Sequence, residues 1–482
     1  MAEEIFNVKK DKNPSEWFTE IIKTAELADM RYGVKGFLVF QPWSVESMEK
    51  MYYHLEKNLK KRGHKKYWFP TLIPEKNFKL EGKHVEGFTP EVFWVESAGN
   101  EKLEERLALR PTSETAFYSM FSTWIRSYKD LPFRTYQRAN VFRYDTKMTR
   151  PFLRSREFHW IETHCAFATK KAAYENVLDD MRSTKDVVFE VYGVPTLVFQ
   201  RPQWDKFPGA DNTYGADAIT PSGKVIQQPS THMLGQNFSK PFNVTFTDEN
   251  EKEQHAYLTC YGPCVSRIFA SVVLTHGDDK GLRFPFEIAP LQIVIVPILA
   301  DKEPKVLVEA EKLKEKLEEE GFSVEIDDSD KRPGEKFYYW EMKGVPIRVE
   351  LGPRDLAKKK VLLYRRDTEK KKEIAIKDII KEVQKNGEEL SKNLKKEAND
   401  NFKGIIKDCK SIAEVKKVVG KGIARANFCT CEMEGEACAE KIEKETGGEV
   451  RGIRIDTEEK AKGNCIVCGK KATQVIYIAK SY

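Results

Sequence analysis

RTYQRANVFRYD, residues 134–145, and FLRSREFHWIETHCAFA, residues 152–168, alternate apolar and polar side chains along most of their length. That period predicts two antiparallel strands, each with one face turned to a core. The loop between them carries Lys147 and Arg150. Upstream, an amphipathic helix over 44–62 (Val45, Met48, Met51, Leu55, Leu59) leads into a short apolar strand, KKYWFPTLIP, at 65–74. Downstream come a helix over 170–192, strand-like pieces at 195–201, 214–220 and 224–228, and an apolar helix over 262–276. Antiparallel strands mixed with helices predict an α+β domain over residues 1–290.

From 291 to 386 the pattern changes. LQIVIVPIL reads as a buried strand, and PKVLVEAEKLKEKLEEEG has helical period with a glycine stop. FSVEIDD, VPIRVELG and KKVLLYRRD read as strands, RPGEKFYYWEMKG as a helix, and 367–386 as a charged turn continuing into a helix. Strands alternating with helices predict a small, partly parallel α/β domain. Residues 387–482 form a third region that holds five of the nine cysteines: Cys429, Cys431, Cys438, Cys465 and Cys468. A C-x-x-C pair with further cysteines upstream predicts a tetrahedral Zn²⁺ site rather than a disulfide framework. Cys431, Cys438, Cys465 and Cys468 are the expected ligands, with Cys429 an alternative to Cys431. Nothing nearby suggests catalysis, so the expected zinc is structural.

The 482 residues carry 81 basic and 75 acidic side chains, a net charge of +6. That balance excludes a histone-like polycation; a nucleic-acid surface must be a local patch. The N-terminal stretch has no apolar segment of the secretory kind, and no run of about 18 apolar residues could span a bilayer. The expectation is a soluble, cytoplasmic protein with no membrane association.

The densest polar constellation lies on the two central strands. Arg143 offers a bidentate fork to phosphate or carboxylate, and Phe158 offers a flat face to a purine. Arg154 and Arg156, flanking Ser155, are placed to hold triphosphate oxygens. Trp160, Glu162 and His164 alternate and so share one face of their strand. Singly, each would be an ordinary surface or core residue. Together, Arg143 and Asp145 followed by Arg154, Phe158 and Glu162 resemble the second signature of class II aminoacyl-tRNA synthetases. Tyr261-Gly262-Pro263-Cys264-Val265-Ser266-Arg267 resembles the third, with Cys264 where a smaller residue is common. The helix and strand at 44–74, with Pro70, resemble the first.

From about residue 10 to its end the chain is similar to the prolyl-tRNA synthetase family, archaeal and eukaryotic-like type. Arg110-Pro111-Thr112-Ser113-Glu114 is similar to that family's T-x-E loop, and Gln227-Gln228-Pro229-Ser230-Thr231-His232 to its nucleotide and proline contact segment. The resemblance implies an antiparallel-sheet class II catalytic domain, an α/β anticodon-binding domain and a small zinc-binding C-terminal α+β domain. It implies ATP-dependent, Mg²⁺-assisted activation of L-proline to prolyl-adenylate and transfer to tRNA(Pro) by a homodimer. Arg143 and Arg267 would be catalytic. ATP would meet Arg143, Arg154, Ser155, Phe158, Gln227, Ser230 and Arg267. Proline would meet Thr112, Glu114, Arg143, Trp160, Glu162, His164 and His232. Arg348, Glu350 and Arg354, with Lys358-Lys359-Lys360 nearby, would meet the anticodon. About a hundred residues separate the second and third signatures, so no inserted hydrolytic domain is expected. The terminal Tyr482 is expected to fold back towards the catalytic domain.

Overall fold

The computed structural model describes residues 6–80, 91–144 and 149–482. Asp145 and Lys147 lie outside the described residues.

Strands Phe133–Phe142 and Glu157–Phe167 pair antiparallel from Phe133↔Ala166 to Phe142↔Glu157. Both are shorter than their period suggests. Pro151 and the left-handed backbone at Phe152 (φ 63°) break the extended run, so Phe152–Arg156 is not strand. Arg143 and Arg154 therefore stand just beyond the paired ends.

The pair lies in an eleven-stranded sheet. Outward from it come Tyr257–Gly262, Lys224–Gly235, Asn212–Ile219 and Leu197–Gln200, all antiparallel. The 224–228 piece continues to Gly235, through Pro229. Proline cannot donate to a ladder, and this one sits at a bulge. The pairing steps from Asp217↔Gln227 to Gly215↔Ser230, leaving two residues opposite one. The apolar stretch 65–74 is not one strand. Lys65–Lys66 joins the large sheet beside Thr135–Tyr136, while Leu72–Pro74 pairs with Leu107–Leu109 in a separate three-stranded sheet. Pro70 lies between the two pieces.

Helices cover one face of the large sheet. Pro42–Lys61 buries Met48, Met51, Leu55 and Leu59 as the period requires, but Val45 is 37% exposed. Val265–His276 packs beside it and is buried almost all round. The helix expected over 170–192 is α-helical over Lys170–Thr184 and continues as a π turn, Lys185–Phe189.

The middle region forms a five-stranded sheet. Val324–Ile326, Ile293–Pro297 and Ile347–Leu351 run parallel, and Lys360–Arg365 and Lys371–Ala375 follow antiparallel. The edge strand Lys371–Ala375 replaces part of the charged turn expected at 367–386. The helix that follows, Ile379–Gly404, runs on past residue 386. Arg366, 1% exposed, forks onto Asp278 of the first region at 2.6 and 2.8 Å and ties the two regions together.

The C-terminal region shares the large sheet. Its strand Glu449–Arg454 pairs with Leu197–Gln200 through Ile453↔Gln200 and Arg454↔Phe199. Its last strand, Gln474–Ser481, also runs parallel to Lys224–Val225. One continuous sheet thus joins the C-terminal cysteine cluster to the strands that carry the polar constellation.

Candidate active site

The loop before helix Glu114–Trp124 and the ends of four strands enclose an inner cavity of about 220 Å³. It is lined by Thr112, Glu114, Arg143, Phe158, Trp160, Glu162, His164, Gln227, Ser230, His232 and Arg267. An outer cavity of about 890 Å³ shares Arg143, Phe158, Gln227 and Arg267 with it and adds Arg154 and Ser155. Of the residues read from the sequence as nucleotide or amino-acid contacts, all but Arg156 thus line one of two connected cavities; the Arg156 guanidinium lies 4.1 Å from the Tyr144 ring centroid.

Each polar group is held in place. Thr112 Oγ1 donates to Glu114 Oε2, and Ser113 Oγ donates to Glu162 Oε1. Glu162 also accepts from Gln137 Nε2 at 2.7 Å, and its other oxygen lies 3.2 Å from His164 Nε2. His164 stacks on Phe117 with ring centroids 4.3 Å apart. Ser113 and Gln137 are buried, so the carboxylates are oriented by groups that themselves cannot move freely. Trp160 is 9% exposed, and its indole N–H has no partner among the described residues. Its ring lies on Gly262, where an added Cβ would come within 3.1 Å. A side chain at that position would press on the indole.

Arg143 Nε donates to the Pro111 carbonyl at 3.0 Å, and its guanidinium lies 5.4 Å from the Phe158 ring centroid. Burial, with the nearby Arg267 charge, lowers its pKa without threatening its ionisation. Arg267 Nε donates to the Leu153 carbonyl at 3.3 Å. It lies in the first turn of Val265–His276, whose N-terminal end adds a favourable field for phosphate. Cys264 caps that helix and packs with Val141, Phe158 and Trp160, so the larger residue is absorbed by an apolar cluster.

His232 is half-buried and its pKa falls to about 4, chiefly through desolvation, which leaves it neutral at neutral pH. Thr213 Oγ1 accepts from Phe207 N–H at 2.8 Å and lies 2.9 Å from His232 Nδ1.

Several lining residues escape sequence reading: Arg201, Lys206, Phe207 and Thr213 on the wall, and Cys260 below. An aromatic in the Pro- and Gly-rich loop PQWDKFPGAD was the available signal. Tyr482 lines the outer cavity. Its N–H donates to Val225 O at 3.0 Å, and its ring lies 4.6 Å from the Arg150 guanidinium.

In the middle region the structure corrects one expectation. Arg348 is buried between the rings of Phe337 and Tyr364, at 3.9 and 4.1 Å, and bonds Glu341 and Glu350. Its charge is neutralised internally, which leaves no fork to offer a base. Glu350 is also mostly buried and accepts from Lys371. Arg354 is exposed on the short helix Pro353–Ala357.

The cysteine expectation is corrected too. The Sγ atoms of Cys429, Cys438, Cys465 and Cys468 lie within 4.8 Å of one another. A ZnS₄ tetrahedron has S···S edges of roughly 3.8 Å, so these four thiols fit zinc. Cys431 stands apart. Gln474 takes its N–H at 2.6 Å and Gln203 donates to its carbonyl at 2.9 Å.

Comparison with known proteins follows the same division. Residues 93–276 match the tRNA synthetase class II core domain (G, H, P, S and T). Residues 292–386 match an anticodon binding domain and 412–482 the C-terminal domain of prolyl-tRNA synthetase. The chain is 45% identical to the proline–tRNA ligase of Thermofilum pendens over the whole of both chains. It is 41% identical to that of Methanopyrus kandleri, over 97% of this chain and 96% of the relative. Giardia lamblia prolyl-tRNA synthetase, solved in complex with prolyl-adenylate, superposes with a TM-score of 0.93 at 38% identity, covering 99% of this chain and 100% of that one.

Proposed function

This chain belongs to the prolyl-tRNA synthetase family, and from that we propose that its paired cavities activate L-proline with ATP and pass it to tRNA(Pro). The observation that carries the reading is the convergence of Thr112, Glu114, Arg143 and Arg267 on one cavity that opens into a larger one.

The inner cavity takes proline. Its secondary ammonium has two N–H donors, and the Glu114 carboxylate and Thr112 oxygen supply the acceptors. Trp160 and Phe207 provide the apolar wall for the ring, and the neutral His232 lies at the carboxylate end. ATP lies in the outer cavity, with Phe158 beneath the adenine and Gln227 and Ser230 at its edge. Arg154 and Ser155 hold triphosphate oxygens, and Arg267 holds the γ-phosphate. Glu91 lines this cavity beside the arginines. It suits the hydrated Mg²⁺ that travels with ATP and offsets charge on the leaving pyrophosphate.

Arg143 lines both cavities, which supports a role for it between the proline carboxylate and the α-phosphate. A carboxylate oxygen attacks the α-phosphorus in line, and pyrophosphate departs. The nucleophile is already ionised, so no general base is needed. Positioning and charge stabilisation carry the step. The terminal ribose hydroxyl of tRNA(Pro) then attacks the acyl carbon, and AMP leaves. The middle region engages the anticodon, with Arg354 as its exposed candidate.

The four-thiol group holds a structural zinc that stabilises the C-terminal region. The working unit is a cytoplasmic homodimer. In support, the large sheet ends at the two-residue strand Lys65–Lys66, beside Trp68 (82% exposed) and Tyr53 (58% exposed). Charging of unfractionated tRNA with labelled proline tests the whole reading. Label should appear in the proline isoacceptors alone, and label spread over other acceptors would sink it.

A further inference from the structure

The loop from Arg201 to Asp211 walls the inner cavity, yet its outer side is docked on the C-terminal region. We propose that Gln203 and Trp204 are positioning residues through which the C-terminal region sets the affinity of the pocket for its amino acid. The inference rests on the proline reading of the inner cavity.

The contacts run in one chain. Gln203 N–H donates to the Cys431 carbonyl at 2.9 Å. Trp204 packs into the core of the C-terminal region, its ring 6.5 Å from that of Phe428. The Gln203 side chain ties the loop to itself, donating to Asn212 Oδ1 at 2.9 Å and accepting from Lys206 Nζ at 2.8 Å. Lys206 and Phe207 follow directly and line the cavity. The Phe207 ring stacks on His232 at 4.4 Å, and its N–H donates to the Thr213 hydroxyl, which bonds His232 Nδ1.

The first residue of the loop is held by the same region. The Arg201 guanidinium lies across Gly215, where a Cβ would come within 2.9 Å of Nη2. It forks onto the fully buried Asp217 at 2.6 and 2.9 Å and donates to the Arg451 carbonyl. Arg451 binds Asp217 from the opposite side at 2.8 Å. Burial alone would raise the Asp217 pKa, but the two guanidiniums overcome it and hold the carboxyl ionised. A short wall anchored on a separate region through Arg201, Gln203 and Trp204, and held at its far end by Met233, cannot shift without losing contacts there. Phe207 and His232 are thus preorganised before the amino acid arrives.

The test compares proline-dependent ATP–pyrophosphate exchange in the full-length wild type and four variants. Gln203→Pro removes the N–H that reaches Cys431. Pro202 is at φ −59°, ψ 155°, which accommodates a following proline. Gln203→Ala keeps that N–H and loses the same side chain, so the ratio of the two isolates one hydrogen bond. KM for proline should be about fivefold higher in Gln203→Pro than in Gln203→Ala. Trp204→Ala should raise it about tenfold and Trp204→Phe should bring it back to within about twofold. In every case kcat and KM for ATP should stay within about twofold of wild type. Unchanged KM for proline in both Gln203→Pro and Trp204→Ala, with only a lower melting temperature, overturns the proposal. So does a parallel loss of kcat and ATP affinity. If Trp204→Ala fails to fold, the Gln203 pair decides alone. A wild type that gives no proline-dependent exchange would instead sink the proline reading itself.

Discussion

Thr112 and Glu114 form a hydrogen-bonded pair on the wall of the inner cavity, the Thr112 hydroxyl donating to the Glu114 carboxylate. Both are nearly fully buried. On the proposed reading this pair accepts the secondary ammonium of proline. Glu114→Gln keeps the shape and removes the charge. KM for proline should rise about 100-fold, the cost of one charged hydrogen bond in a dry site. ATP-induced thermal stabilisation of the same variant should persist. An unchanged KM would remove Glu114 from proline recognition.

On the proposed mechanism Arg143 acts on charge that develops at the α-phosphate and Arg267 on charge that passes to the leaving pyrophosphate. Arg267→Lys keeps a positive charge but loses the planar fork. The expected result is a fall in kcat of about 10²- to 10³-fold in pyrophosphate exchange, with KM for proline changed by less than about threefold. If KM for proline rises and kcat holds, Arg267 belongs to substrate binding and not to the transition state.

The four-thiol geometry makes a sharp distinction between neighbours. Cys429→Ser should lose bound zinc, measured by elemental analysis of purified protein, and lower the melting temperature of the C-terminal region. Cys431→Ser should keep one zinc per chain, because its thiol stands outside the cluster. Zinc lost from Cys431→Ser and kept in Cys429→Ser would reverse the ligand assignment.

Asp180 lies behind the active strand, 1% exposed, and accepts from Thr231 Oγ1 at 2.7 Å. Burial raises its pKa from 3.8 to about 8. The folded state therefore holds this proton more tightly than the unfolded chain. The stability it contributes is greatest below the unfolded value and is lost as pH rises through about 8. Asp180→Asn should accordingly raise the melting temperature more at pH 8 than at pH 5. An equal effect at both would show that Asp180 is already ionised when folded.

The sequence made much of the site legible because its chemistry is local to two strands. Arg143, Arg154, Phe158 and Glu162 keep a spacing that a single hairpin can realise, and the alternation of Trp160, Glu162 and His164 gives their common face directly. What stayed hidden depends on distant parts of the chain. Arg201 and Phe207 line the cavity because residues near 431 and 451 hold their loop, and no local pattern encodes that. Arg348 reads as an exposed basic residue until Phe337, Tyr364 and Glu341 are seen to enclose it. Lys371–Ala375 has the composition of a turn and becomes an edge strand because Lys360–Arg365 offers it a ladder. The pattern at 224–228 stops at a proline, and only the bulge opposite Ala216 shows how the strand continues.

The most direct measurement is ATP–pyrophosphate exchange by the purified chain with each of the twenty amino acids, without tRNA. The account predicts exchange with proline well above that with any other amino acid. Exchange strongest with a different amino acid, or none with any, would contradict the assignment of the inner cavity.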